Sequence, residues 1–184
     1  MSIKAIFLDR DGTLVKDYED DQWPLVKKLE LFPDTIPALQ KIPNDFKLFI
    51  ITNQYLIQEN FITIEQFKKL HRQFFLNLEK NHIHIEQTYF CPHPRSMNCL
   101  CRKPGGGMID QCLTNYDVDL SHSYFIGNSK DDIRLGNDIG CTTIAVRDYQ
   151  GSTQPDYFSK DLVSAITKIE LHRNPEHSRG VSAR

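Results

Sequence analysis

The chain has 184 residues, 40% of them hydrophobic and 25% charged, with a formal net charge of -2. That size and balance suit a single globular domain and exclude a disordered or fibrous chain. A charge so close to zero gives no general attraction for nucleic acid or an anionic membrane. Any phosphate must therefore be held by a local cluster of positive groups, and the expected partner is small.

No run approaches ~18 consecutive apolar residues, and the N-terminus leads straight into a strand-like segment. Neither a membrane-spanning helix nor a signal peptide is expected, which points to the cytoplasm. The five cysteines are an odd number, and three crowd between Cys91 and Cys101. This suits a metal site in a reducing compartment better than a disulfide framework.

The first element is the apolar run Ile3–Leu8, read as a buried strand. It ends in Asp9-Arg10-Asp11-Gly12-Thr13, two carboxylates two residues apart with a glycine to turn the chain. On an extended segment such side chains point the same way. A turn with solvated acids is one reading, since Asp-Gly is a common turn pair. A calcium loop fails, because Thr13 and Leu14 stand where that motif needs a third oxygen ligand and a glycine.

A second strand, Leu48–Ile51, runs into Thr52-Asn53-Gln54, where Thr52 is either a helix cap or a ligand for an anion. The stretch Ile64–Leu78 carries Phe67, Leu70, Phe74, Phe75 and Leu78 at helical spacing, the expected buried face of an amphipathic helix. A weaker strand at Thr88–Phe90 leads into Cys91-Pro92-His93 and Cys99-Leu100-Cys101. Cys91, His93, Cys99 and Cys101 form a Cys3His set, a recognised tetrahedral zinc combination whose four filled positions leave none for catalysis. Buried but unligated cysteines are the alternative, though Pro92, Pro94 and Arg95 would make a poor core segment. Arg102 and Lys103 follow directly, either as a solvated basic pair or as a fork and a point charge for phosphate.

A helix is expected after Gly107. Two further strands, Tyr124–Ile126 and Thr143–Val146, flank Asn128, Asp131 and Asp132, where acids near a helix start also suit the helix dipole. Strands alternating with helices imply an α/β fold, a mainly parallel sheet with helices on both faces. In such sheets ligands lie beyond the carboxyl ends of the strands, where these polar residues fall. Residues 1–172 form the expected domain. Arg173–Arg184, polar and without periodicity, is the expected flexible tail, and Trp23 is assigned to packing.

These motifs resemble the haloacid dehalogenase superfamily, a Rossmann-like fold, and within it the group called subfamily IIIA. The resemblance rests on Asp9-Arg10-Asp11-Gly12-Thr13, on Thr52, on Lys103 and on the turn from Gly127 to Asp132. It implies that Asp9 is the nucleophile that accepts the phosphoryl group and Asp11 the acid that protonates the leaving oxygen, then the base for water. It implies that Thr52 and Asn53 meet the phosphate, that Lys103 steadies it, and that Arg102 contacts substrate. It implies Mg2+ held by Asp9, Asp11 and Asn128, with Asp132 behind them. Cys-X-His followed by Cys-X-Cys-Arg-Lys-Pro is similar to zinc-bearing phosphatases of D-glycero-D-manno-heptose 1,7-bisphosphate and of histidinol phosphate. Gly106-Gly107-Met108 favours the heptose group.

Two departures stand out. Tyr55-Leu56-Ile57-Gln58-Glu59-Asn60 replaces a glycine-bearing, basic loop, and Asn128 replaces a metal-ligand aspartate. An amide oxygen binds a hard cation through a dipole instead of a full charge, so affinity should fall. The expectation is a magnesium-dependent, zinc-bearing monomeric phosphatase with no large cap domain, heptose 1,7-bisphosphate being favoured over histidinol phosphate. The alternatives at Asn128 are substitution by Asp131 or Asp132 at the metal, or a phosphate-binding protein that has lost turnover.

Overall fold

The computed structural model describes residues 2–173. Six parallel strands form one sheet: β1 (Lys4–Leu8), β2 (Phe46–Asn53), β3 (Gln87–Cys91), β4 (Tyr124–Gly127), β5 (Thr142–Val146) and β6 (Tyr157–Ser159). Their spatial order is β3-β2-β1-β4-β5-β6. Five helices accompany them: α1 (Thr35–Leu39), α2 (Ile64–Lys80), α3 (Gly107–Asn115), α4 (Lys130–Asp138) and α5 (Leu162–Arg173). The expected α/β class and all five expected strands are present, and β6, α1 and α5 are additions. Of the expected tail, 173–184, only Arg173 falls within the described residues, at the end of α5.

The apolar runs are continuous because both faces of the sheet are covered. Ile6 and Leu8 of β1 pack into a core that includes Ala38, Leu39, Phe67, Leu70, Phe74, Leu78, Ala165 and Ile169, from α1, α2 and α5. Ala5 and Phe7, pointing the other way, join Phe49, Phe125, Met108, Cys112 and Leu135 in a second core against α3 and α4. Phe75, expected on the buried face of α2, is only partly buried, while Trp23 is buried as assigned. Among the described residues no element stands off the sheet as a large cap, and no helix is long and apolar enough to cross a membrane.

β1 pairs with β2 on one side and β4 on the other, so the chain reverses its direction of winding between β1 and β4. A crevice opens beyond the strand ends at such a switch point. Residues 9–13 leave β1 there, and Asn128 leaves β4 beside them.

α2 carries a histidine on its way into the core. His71 stacks on Phe67, with ring centroids 5.4 Å apart and planes 12° apart, and also meets Phe74 and Phe75. Burial is the main cause that pushes its pKa down to about 4; the nearby Arg10 cation adds to this and Asp11 opposes it. An unfolded chain takes up that proton near pH 6.5. The contribution to stability is therefore complete above about pH 6.5 and is lost as pH falls toward about 4. Urea unfolding at pH 7 and pH 5 should show the native chain losing about 1–2 kcal/mol more than His71→Leu. Equal losses would contradict a buried neutral imidazole.

Candidate active site

The site is assembled around one ammonium group. Lys103, 3% exposed, reaches from the loop before α3 and donates to Asp9 Oδ1 at 2.6 Å and to the Ile51 carbonyl at 2.7 Å. Its Nζ also lies 2.7 Å from Asp132 Oδ1 as an ion pair. Burial alone would lower the lysine pKa, but attraction to Asp132 and Asp9 outweighs it and holds the pKa above the ordinary value. Lys103 is thus a permanent cation joining the ends of β1 and β2 to the first turn of α4.

Asp9 is 6% exposed, and its second oxygen accepts from the Thr13 hydroxyl at 2.8 Å. Burial raises its carboxyl most; Lys103 opposes, and the charges of Asp132 and Asp11 add, leaving it up at about 7. Such a group is short of positive charge. A hard cation beside it would restore its anionic form, and the oxygens around it are the donors such a cation takes.

Asn128 lies on the other side of Thr13, with Oδ1 3.2 Å from the same hydroxyl. Its amide nitrogen lies where a β-carbon on Gly12 would sit, and Gly12 has φ +79°, so the turn after β1 admits glycine on both counts. Asn128, Thr13 and Asp9 therefore form one row across the switch point, and the oxygens of Asp9 and Asn128 are donors of the kind a hard cation takes. Asp132 sits one turn into α4. Its Oδ2 accepts from the Ser129 amide at 2.9 Å and hydroxyl at 2.7 Å, completing a capping box. The helix cap thus aims the other oxygen at Lys103.

The remaining expected residues also converge, with different immediate partners. The Thr52 hydroxyl accepts from Gln54 Nε2 at 2.9 Å. Asn53 pairs with the Lys103 backbone, its Oδ1 accepting from the amide at 3.0 Å and its Nδ2 donating to the carbonyl at 3.3 Å. Arg102 donates to the carbonyls of Pro94 at 2.6 Å and Met97 at 3.1 Å. Its guanidinium is folded onto the cysteine loop, and Asn53 fastens the lysine loop to β2. Asp11 accepts from Arg10 Nε at 2.9 Å and Nη2 at 2.8 Å, and from Gln54 Nε2 at 2.6 Å. Arg10 and Gln54 carried no expectation from the sequence.

Comparison with known proteins places this arrangement. A family model described as HAD-hydrolase-like matches residues 100–167. A probable D-glycero-D-manno-heptose-1,7-bisphosphate 7-phosphatase of Thermoplasma volcanium is 36% identical over 127 residues, covering 68% of this chain and 86% of that protein. The chain belongs to the HAD-like phosphatases. The bifunctional histidine biosynthesis protein HisB of Blochmanniella floridana is 38% identical over 143 residues, 76% of this chain, which spans 40% of that protein's length. The crystal structure of D,D-heptose 1.7-bisphosphate phosphatase from B. bronchiseptica, complexed with magnesium and phosphate, superposes with a TM-score of 0.81. At 23% identity, covering 92% of this chain and 99% of that one, it shows the shared fold.

In this HAD-like chain the cysteine loop is a compact ligand set. Ligand atoms of Cys91, His93, Cys99 and Cys101 all lie within 4.8 Å of one another, a group that can hold a metal ion. Sulfur separations of 3.2, 3.5 and 3.7 Å are far above a disulfide bond and near those of tetrahedral thiolates around one ion. Gly107 donates to the Leu100 carbonyl at 3.0 Å, which seats the start of α3 on this loop.

Gly127 tests how closely the cap aims Asp132. A β-carbon there would come within 2.5 Å of Asp132 Cγ and Oδ2. Gly127→Ala should therefore cost about 1–3 kcal/mol in urea unfolding, the range for overpacking a core, and should pull Asp132 off Lys103. A variant as stable as the native chain would contradict that contact.

Proposed function

We propose that the chain is a magnesium-dependent phosphatase of a small sugar bisphosphate, D-glycero-D-manno-heptose 1,7-bisphosphate first, working through an aspartyl phosphate on Asp9. The observation that carries the reading is Lys103, buried between Asp9 and Asp132 at the switch point. A carboxylate attacks a phosphate dianion only where the negative charge of both is offset, and a buried ammonium does so without reorganisation. Mg2+, when bound by Asp9, Asn128 and the Asp11 carbonyl, supplies further positive charge for the phosphoryl oxygens.

The two steps use this chain's own groups. An Asp9 oxygen forms a bond to phosphorus, the ester P–O bond breaks, and its electron pair stays with the leaving oxygen, which takes a proton from the Asp11 carboxyl. Asp11, now a carboxylate, takes a proton from water as the water oxygen bonds to phosphorus. The P–O bond to Asp9 breaks, releasing inorganic phosphate and restoring the Asp9 carboxylate. Two moderate barriers replace one high one. In this reading Thr52 and Asn53, at the end of β2, meet the phosphate, and Arg102, just beyond the metal loop, contacts the rest of the substrate.

The Thermoplasma volcanium relative, of which the chain spans 86%, supports the heptose substrate. One observation favours histidinol phosphate as a second reading. Arg95, within the metal loop, is neutralised by Glu59 at 2.6 Å and Asp20 at 2.7 Å, and Arg102, just beyond the loop, is turned onto two of its carbonyls. Less positive charge is thus free to meet a second phosphate. Zinc fits the Cys3His set, and reduced cysteines suit the cytoplasm. The reading takes the chain as acting as a monomer, with residues 1–172 as one phosphatase domain.

Phosphate release from both substrates across a magnesium titration tests the reading. Turnover should appear in the native chain, vanish in Asp9→Asn, and need less magnesium in Asn128→Asp. No native turnover, with activity appearing in Asn128→Asp, would instead identify a phosphate-binding protein that has lost catalysis.

A further inference from the structure

We propose that Arg10 and Gln54 are positioning residues that aim the Asp11 carboxyl at the leaving oxygen. The inference rests on the phosphatase reading and deepens it. Asp11 stands just ahead of the turn at 12–14, is only partly buried, and its side chain is free to swing unless something holds it. Arg10 holds one edge as a planar fork, Nε to Oδ1 and Nη2 to Oδ2. Gln54 reaches Oδ2 from the end of β2, and the same Nε2 also touches the Thr52 hydroxyl. Three donors from two chain segments thus fix both the tilt and the rotation of the carboxyl group.

The holders are themselves held. Arg10 is 1% exposed, and its guanidinium carbon lies 5.2 Å from the centre of the Phe67 ring. The Gln54 side chain is buried, and the residue's backbone N–H donates to the carbonyl of Cys91, the first residue of the metal loop, at 2.7 Å.

Arg10 Nη1 and Gln54 Oε1 are buried without a protein partner. Buried polar atoms left unpaired cost stability, and native structures keep few of them. Apolar side chains of similar volume would fill these positions without that cost. What they would lose is the hold on Asp11.

In the first step the leaving oxygen takes its proton from Asp11, so misaiming Asp11 penalises esters in proportion to how much their leaving group needs that proton. 4-Nitrophenyl phosphate releases a phenolate that needs little help at neutral pH. Phenyl phosphate is similar in size and shape, but its leaving oxygen keeps a proton up to about pH 10, as a tyrosine does. General acids contribute about 10²–10⁴ to such steps.

The experiment is rapid-quench measurement of Asp9 phosphorylation from the two esters, with magnesium, in the native chain, Gln54→Met and Arg10→Lys. Gln54→Met keeps volume, and Arg10→Lys keeps the charge but not the fork. Each variant should lower the phenyl to 4-nitrophenyl rate ratio by about tenfold or more, whatever it does to overall activity. Using two variants from different chain segments covers the case in which one does not fold. Equal loss on both esters, or no loss, would overturn the positioning role. A native chain that is phosphorylated by neither ester would instead sink the phosphatase reading, and the inference with it.

Discussion

The site depends on one buried ammonium group. Lys103 is the meeting point of two carboxylates and a strand-end carbonyl, contributed by β1, β2 and α4. Removing a charge of this kind leaves its partners buried and unpaired, which typically costs about 3–5 kcal/mol. Here it would also leave Asp9 and Asp132 facing each other with no cation between them. The same contact that stabilises the loops therefore sets the electrostatics of Asp9. It explains why three supports, the Asn53 pairing, the Ser129 cap and the glycine at 127, all act to aim Lys103 or its partner.

The metal loop extends that dependence outward. Lys103 lies two residues beyond Cys101, so the position of its backbone is tied to how the Cys3His set closes. From the same loop Arg95 stacks over Tyr55 at 4.3 Å and pairs with Glu59 and Asp20, while Tyr55 donates to Asp20 at 2.8 Å. Loops following β1, β2 and β3 are thereby joined at the rim of the crevice. The segment Tyr55–Asn60, which departs from the basic loop of similar phosphatases, is built into this network, where its acid neutralises an arginine.

Much of this was legible in the sequence because the strands are buried on both faces. Ile3–Leu8 and Leu48–Ile51 read as strands from apolar continuity alone, and α2 from its 3.6-residue spacing. β6 did not, since Tyr157–Ser159 is three residues long and Phe158 is 55% exposed. α1 is five residues with Pro37 inside it, and α5 carries an exposed Leu171 off its buried face, which blurs its period. The motif residues Asp9, Asp11, Lys103 and Asp132 could be named because each follows or precedes a readable element. Arg10 and Gln54 could not. Alternation along an extended segment points Arg10 away from Asp11, and Gln54 is 43 positions from it, so only the folded loops reveal that they share its carboxylate. Asn53 shows the same limit, for its pairing with the Lys103 backbone spans 50 positions.

The most direct test of this account is to locate the phosphate during turnover. Acid-quenching the chain with a phosphate monoester and magnesium, then mapping its peptides by mass spectrometry, should find phosphate on Asp9 in the native chain and none in Lys103→Met. Phosphate on another residue, or labelling of Asp9 in Lys103→Met as complete and as fast as in the native chain, would contradict it.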